Sequence, residues 1–330
     1  PNRRRDFIDL MAKNNQVVKF ESEIYRKDET TIWISEDART VRDDDGSLLY
    51  YEGSVRDISD RIIAQNSLAQ ANLSILLLNE QLKADNMRMS SELAISRRLQ
   101  QMILPKDTEL AKIKELDISG YMEPASEVGG DYYDILVEDG GRIKIGIGDV
   151  TGHGLESSVL MIMVQTAVRT LLVNNETDPV RFLTTLNRTI YDNAKRMESD
   201  KNLTLALIDY EAGKLTISGQ HEEMIIVRAT GVVERIDTID LGFPIGLEPQ
   251  ISDFINKTEL ELYQNDIAVL YTDGVTEAEN MAKEQYGLDR LCAVIAENSH
   301  RSAGAIRREV ISNLGSFIGE QETFDDITLL

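Results

Sequence analysis

Four acidic positions of this 330-residue chain share one local setting. Asp131 follows Gly129-Gly130 and enters an apolar run over 132–137. Asp149 ends the alternating run Ile143, Ile145, Ile147 and precedes Val150-Thr151-Gly152-His153-Gly154. Asp273 closes the apolar run 267–271, just before Gly274. Asp325-Asp326 opens the last run, 327–330. Runs of this kind read as strands, and antiparallel strands place the end of one beside the start of the next. Four acids at strand termini can therefore meet on one edge. Packed together, they would repel and raise one another's pKa unless a cation compensated. An oxygen-only cluster suits Mg²⁺ or Mn²⁺. The adjacent glycines let the backbone come close and leave carbonyls available as ligands. Taken singly, each Asp also suits a turn, and spacing alone does not bring the four together.

Other chemistries are thinly represented. Cys292 is the single cysteine, which excludes an intramolecular disulfide and a cysteine-rich zinc site. His153, His221 and His300 lack the local spacing of a three-histidine site. His221-Glu222-Glu223 starts like a zincin motif, but Ile225 stands where the second histidine belongs. The net charge of −22 argues against nucleic acid or an anionic membrane as the main partner. No signal peptide is visible, and the longest uncharged run, 62–79, is too polar for a membrane span. The chain thus reads as cytoplasmic, without a membrane segment. Its start at Pro1 reads as a piece of a longer protein.

Three stretches must position the acids. Residues 1–59 predict a short helix and three strands. Val18, Phe20 and Ile24 alternate with Lys19, Glu21 and Glu23; Ile32 and Ile34 mark the second strand; Asp43-Asp44-Asp45-Gly46 is a turn; 48–55 return as the third. Residues 60–104 lack glycine and proline. Leu68, Ile75, Leu82 and Met89 recur every seven residues, with Asn72, Asn79 and Asn86 in step. Such a heptad suits a parallel two-stranded coiled coil, hence a homodimer with a helical stalk. A single helix packed on its own domain is the alternative, and Leu76, Leu77 and Leu78 also permit a bundle. Residues 105–330 read as one domain. Strands are expected over 143–147, 203–208, 214–218, 224–228 and 267–271. Helices are expected over 155–173, 179–196, 289–297 and 303–317; the first is apolar almost all round over 159–164, so it should be buried. The hairpin-like strand series favours an antiparallel sandwich flanked by helices.

The motifs themselves resemble a known family. Glu127-Val128-Gly129-Gly130-Asp131-Tyr132-Tyr133-Asp134, Gly148-Asp149-Val150-Thr151-Gly152-His153-Gly154, Tyr271-Thr272-Asp273-Gly274-Val275-Thr276-Glu277-Ala278 and Asp325-Asp326-Ile327-Thr328 occur in the order found in the SpoIIE/RsbU branch of the PPM metal-dependent serine/threonine phosphatases. Gly219-Gln220-His221 and Gly242-Phe243-Pro244-Ile245-Gly246 also look like that branch. The resemblance implies an α+β fold, an αββα sandwich of two antiparallel sheets. It implies two Mn²⁺ or Mg²⁺ ions at one end. Asp149 would bridge them with the Val150 carbonyl beside it, Asp131 would bind one ion, and Asp273 and Asp325 the other. Asp326 is the less favoured partner in that pair. On this reading Asp131, Asp149 and Asp273 are the catalytic acids. Paired ions about 3.5–4 Å apart activate a shared water for in-line attack on phosphorus. His153 is a candidate general acid, but relatives elsewhere place the candidate histidine where this chain has Thr151. His221 and Glu277 read as scaffold, and the phosphate-binding arginine of eukaryotic relatives has no evident counterpart here.

Residues 1–59 resemble the C-terminal half of a PAS sensor domain, ending in Val55-Arg56-Asp57-Ile58-Ser59-Asp60-Arg61. The order of sensor, stalk and enzyme implies regulation through 89–104. By resemblance the substrate is a phosphorylated STAS-domain anti-sigma-factor antagonist. Two other readings compete. One is a non-catalytic scaffold. The other is a diguanylate cyclase, suggested by Gly129-Gly130-Asp131-Tyr132, which needs a βαβ context and leaves Asp273 and Asp325-Asp326 unexplained.

Overall fold

Residues 3–125, 129–138, 141–152, 154–321 and 323–330 are described in a computed structural model, except for the side chains of 92–96 and 99. Glu127, Val128 and the candidate acid His153 lie outside the described residues. Contacts divide the chain into two units, Pro1–Met87 and Arg88–Leu330.

In the first unit, α1 (Arg3–Asn14) precedes an antiparallel meander of β1 (Gln16–Tyr25), β2 (Thr31–Arg42) and β3 (Leu48–Asp57). The predicted turn closes where the Ser47 N–H donates to Asp43 Oδ1 at 2.6 Å. Met11 and Phe7 of α1 pack on Val17 and Phe20. The expected inward set of β1 needs correction: Val18 and Ile24 are exposed, and Val17, Phe20 and Ser22 are buried. The cause is a bulge between Val17 and Phe20, where Lys19 has φ +53° and its N–H donates to Asp37 Oδ1 at 2.7 Å.

Next comes α2 (Ser59–Ile103), 45 residues long, which contains the boundary between the two units. Straight-chain and leucine side chains, without glycine or proline, favour helix throughout. Leu68, Ile75, Leu82 and Met89 are 62%, 55%, 58% and 56% exposed, so the packing of this stripe on its own domain is not seen.

The second unit continues with α3 (Asp107–Leu110), β4 (Tyr121–Glu123), β5 (Tyr132–Val137), β6 (Ile143–Val150), α4 (Leu155–Val173) and α5 (Pro179–Arg196). Then follow β7 (Leu203–Glu211), β8 (Lys214–Gln220), β9 (Met224–Val227), β10 (Val233–Ile236), β11 (Lys257–Glu261) and β12 (Ile267–Val269). The chain closes with α6 (Asp273–Thr276), α7 (Leu288–Glu297), α8 (Ala303–Ile318) and β13 (Ile327–Leu329). One sheet runs β11-β8-β7-β6-β5. Opposite it lie β10-β9-β12 and the pair β13-β4, joined by reciprocal backbone hydrogen bonds between Leu270 and Leu330. All pairings are antiparallel, so Gly129-Gly130-Asp131-Tyr132 lacks the cyclase context.

Strand periodicity builds the layers. Leu203, Leu205 and Leu207 of β7 join Tyr132 and Leu136 in packing against α4 and α5. The intervening Ala206 and Ile208 join Ile143, Ile145 and Ile147 in the middle layer with Met224, Ile226 and Leu270. On the far side, Ile225, Val227 and Leu329 meet Leu291, Ile295, Val310 and Leu314 of α7 and α8. This is the expected αββα sandwich. α5 shows why the helices form: Asp178 accepts from the Arg181 N–H at 2.8 Å, Pro179 opens the first turn, and Phe182, Leu183, Leu186 and Ile190 share the buried face. α4 is buried or half-buried throughout 159–164, as expected, and exposed at its two ends. Leu160, Met161, Val164 and Val168 are buried, but Leu155 and Val173 are exposed. Among the described helices it alone is long and apolar enough to cross a membrane by length and composition. Arg169 fixes it to β5 by donating twice, at 3.0 Å each, to the buried Asp134.

Candidate metal centre

The sheet edges bring the predicted acids together from four places in the chain. Asp149 is the second-last residue of β6, opposite Thr204 of β7. Asp131 immediately precedes β5, near enough to Asp149 to feel its charge. Asp273 opens α6 after the Tyr271–Leu329 bridge, and Asp325-Asp326 leads into β13. Burial, and then the charges of Asp273, Asp325 and Asp326, push the Asp149 carboxyl up to about 8. Asp131 is raised well above the ordinary range by burial and by Asp149 and Asp326. Asp273 is raised by burial, Asp325 and Glu277. The five carboxylates thus feel one another at one end of the sandwich.

Their surroundings differ. Asp131 is 1% exposed, and its Oδ2 accepts from the hydroxyls of Thr272, at 2.8 Å, and Thr328. Asp326 is also buried. Its Oδ1 accepts from the Ala125 N–H at 2.9 Å, and its Oδ2 from Gly130 N–H at 2.6 Å and Asp131 N–H at 3.3 Å. Asp326 is therefore occupied in holding the Asp131 loop, whereas its neighbour Asp325 is exposed. Two close approaches require glycine. A Cβ at Gly130 would lie 2.7 Å from the Val150 carbonyl oxygen, and one at Gly274 would overlap the Asp326 carbonyl.

A neutral histidine braces the edge. His221 Nε2–H donates to the Tyr271 carbonyl at 3.1 Å, and Nδ1 accepts from the Thr204 hydroxyl at 2.8 Å. Burial lowers its pKa to about 4, so the ring stays uncharged. The tie runs from the strand beside Asp149 to the segment carrying Asp273. The scaffold reading of His221 fits these contacts. Sequence reasoning assigned no role to Thr272, Thr328 or Asp134, although all three stand in the quoted motifs. The signal was a hydroxyl or a second acid at a strand end, next to a charged group that needs a donor.

Among the described residues, no three His, Cys, Asp or Glu side chains stand close enough to enclose a metal ion as placed. The donor chemistry nevertheless fits a hard divalent cation: carboxylate oxygens, a nearby backbone carbonyl at Val150, and mutual repulsion that a cation would relieve. Gripping an ion requires rotation of side chains on the exposed side.

The family profile described as Stage II sporulation protein E (SpoIIE) matches residues 139–330. The chain belongs to the SpoIIE family. Asp149, Asp273, Asp325 and Asp326 fall inside the SpoIIE match, and Asp131 precedes it. Protein IcfG of Synechocystis sp. is 27% identical over 270 residues, which are 72% of this chain and 41% of IcfG. The chain thus spans less than half the length of that relative. The phosphoserine phosphatase RsbU of Bacillus subtilis is 27% identical over 259 residues, 76% of this chain and 72% of RsbU. Among solved structures, the SiaA-PP2C domain of Pseudomonas aeruginosa superposes with a TM-score of 0.64 at 20% identity, covering 74% of this chain and 97% of that domain. That likeness identifies the fold of this SpoIIE-family member as PP2C-like, with antiparallel sheets.

Proposed function

We propose that this chain is a metal-dependent protein-serine/threonine phosphatase of bacterial signalling. The observation that carries it is the convergence of Asp131, Asp149, Asp273 and Asp325 from separate strand ends onto one edge, with Asp149 raised to about 8 by burial and then by the charges of Asp273, Asp325 and Asp326. Membership of the SpoIIE family and similarity to RsbU support the same reading. Asp131, Asp149 and the Val150 carbonyl, with Asp273 and Asp325, would hold two Mn²⁺ or Mg²⁺ ions. Such ions supply an activated water and offset charge on phosphoryl oxygens. The chain's own part is to hold the acids at one edge. Asp326 fixes the Asp131 loop, Thr272 and Thr328 orient its carboxylate, and His221 ties the Asp273 segment to β7. Cys292 is half-buried and its thiol is pushed up by burial, which suits no nucleophilic role.

The finer reading follows the order of parts. The substrate is a phosphoserine or phosphothreonine on a STAS-domain partner. Residues 1–59 are part of a PAS-like sensor, and 60–104 form a two-stranded coiled coil with a second copy. The exposed stripe Leu68, Ile75, Leu82 and Met89 supports the last point, and the acidic composition supports a cytoplasmic protein. The test is Mn²⁺-dependent release of phosphate from a phosphorylated STAS protein, with Asp273→Asn as control. No release, or equal release by the variant, rejects the reading. Removal of 1–88 should change the rate but not the metal requirement.

A further inference from the structure

Gln100 lies in the last turn of α2 and is 2% exposed. Its Nε2 donates to the carbonyls of Gly129, at 3.4 Å, and Asp131, at 3.5 Å, and lies 3.9 Å from Met122 Sδ on β4. Among the described residues its Oε1 has no partner. One turn on, Ile103 packs into the layer under α4 and α5, and Leu104 into the layer between the sheets. The end of α2 is therefore seated against the start of the Asp131 loop.

Stability alone does not account for this amide. Burying an amide with one atom unpartnered among the described residues is costly, and a leucine of similar volume would avoid that cost. What the amide adds is directional hold on two carbonyls. The Asp131 loop is then fixed from three sides. Asp326 takes its N–H groups, Thr272 and Thr328 take its carboxylate, and Gln100 takes its carbonyls. The first two sides are built by the strand ends of the sandwich itself. The third comes from the helix that begins at Ser59.

We propose that Gln100 is a positioning residue for the Asp131 arm of the metal centre, so that divalent-ion affinity depends on how the last turn of α2 is seated. The inference rests on the metal-centre reading above. Groups that orient a ligand from behind contribute about 10–100-fold to metal affinity. Gln100→Leu keeps the volume and deletes the donor.

The experiment uses the full 330-residue chain, with Mn²⁺ binding followed by titration calorimetry. Gln100→Leu should bind Mn²⁺ about ten-fold more weakly. The Mn²⁺ concentration for half-maximal phosphate release from p-nitrophenyl phosphate should rise by a similar factor, and the loss should be made good by excess Mn²⁺. Leu215→Ala, which removes buried packing at the β7–β8 hairpin, at the opposite end of the sheet from the acids, should lower Tm and leave Mn²⁺ affinity at the wild-type value. A merely structural role for Gln100 would make the two variants behave alike. Wild-type Mn²⁺ affinity in Gln100→Leu overturns the proposal. Should that variant fail to fold, Gln100→Met takes its place: it keeps the length, offers no N–H to the two carbonyls, and should bind about as weakly as expected for leucine. Wild-type affinity there overturns the proposal equally. Asp149→Asn separates the two readings. If it binds Mn²⁺ like the wild type, the metal centre itself is wrong. If it loses binding while Gln100→Leu does not, only the role of Gln100 falls.

Discussion

The carboxylate cluster has a closed side and an open side. On the closed side, Asp131 and Asp326 are buried; hydroxyls donate to Oδ2 of Asp131, and backbone N–H groups to both oxygens of Asp326. On the open side, Asp149 and Asp273 are half-buried and Asp325 is exposed. The difference teaches that neighbouring acids of one motif divide the work. Asp326 spends its charge on the N–H groups of a loop, and Asp325 keeps its oxygens largely free, accepting only from the N–H of Asp326 at 2.8 Å. Of the two adjacent acids, Asp325 is placed to meet an incoming cation and Asp326 to act as a strut.

That division can be broken most forcefully at Asp149. Asp149→Asn should lower metal-dependent phosphate release by on the order of 10³-fold, measured at saturating Mn²⁺. The pair Asp326→Ala and Asp325→Ala sharpens the contrast next. Losing Asp326 leaves buried N–H groups without an acceptor and should cost roughly 3 kcal/mol in urea unfolding. Losing Asp325 should leave unfolding within about 0.5 kcal/mol of the wild type while weakening Mn²⁺ binding in calorimetry. Equal stability losses in the two would erase the distinction. Thr328→Val removes one donor from Asp131 and should cost about 1 kcal/mol, again read by urea unfolding.

A pH slope probes the same edge without substitution. The folded Asp149 carboxyl titrates near 8, above its unfolded value of 3.8. Its contribution to stability is therefore fully present below about pH 4 and is lost as pH rises through about 8. Metal-free protein should lose part of its Tm between pH 5 and pH 8, Asp149→Asn should flatten that part of the slope, and Mn²⁺ should restore more at pH 8 than at pH 5. A slope unchanged by the substitution would show that Asp149 ionises freely.

Much of this arrangement was legible in the chain. Alternation in 143–147 and 203–208 announced strands whose two faces now serve two apolar layers. Asp178-Pro179 announced the start of α5. The four acids were visible because each stood beside glycine or a strand end. What escaped notice depended on partners far away in sequence. The bulge at Lys19 rests on Asp37, and the role of Asp326 on loop N–H groups almost 200 positions earlier. Gln100 was hidden differently. It stands two heptads after Asn86, in step with Asn72 and Asn79, yet it faces a folded domain rather than a second helix. Periodicity reports that a row exists, and only packing decides what each member touches.

Gly274 bears on how inactive descendants of such a chain are to be recognised. A single methyl there would collide with the Asp326 carbonyl and force the final strand away from the turn that follows Tyr271. Every aspartate would survive, and the gene would still look intact to anyone counting acids. Silencing by this route would leave its mark on a residue with no side chain at all.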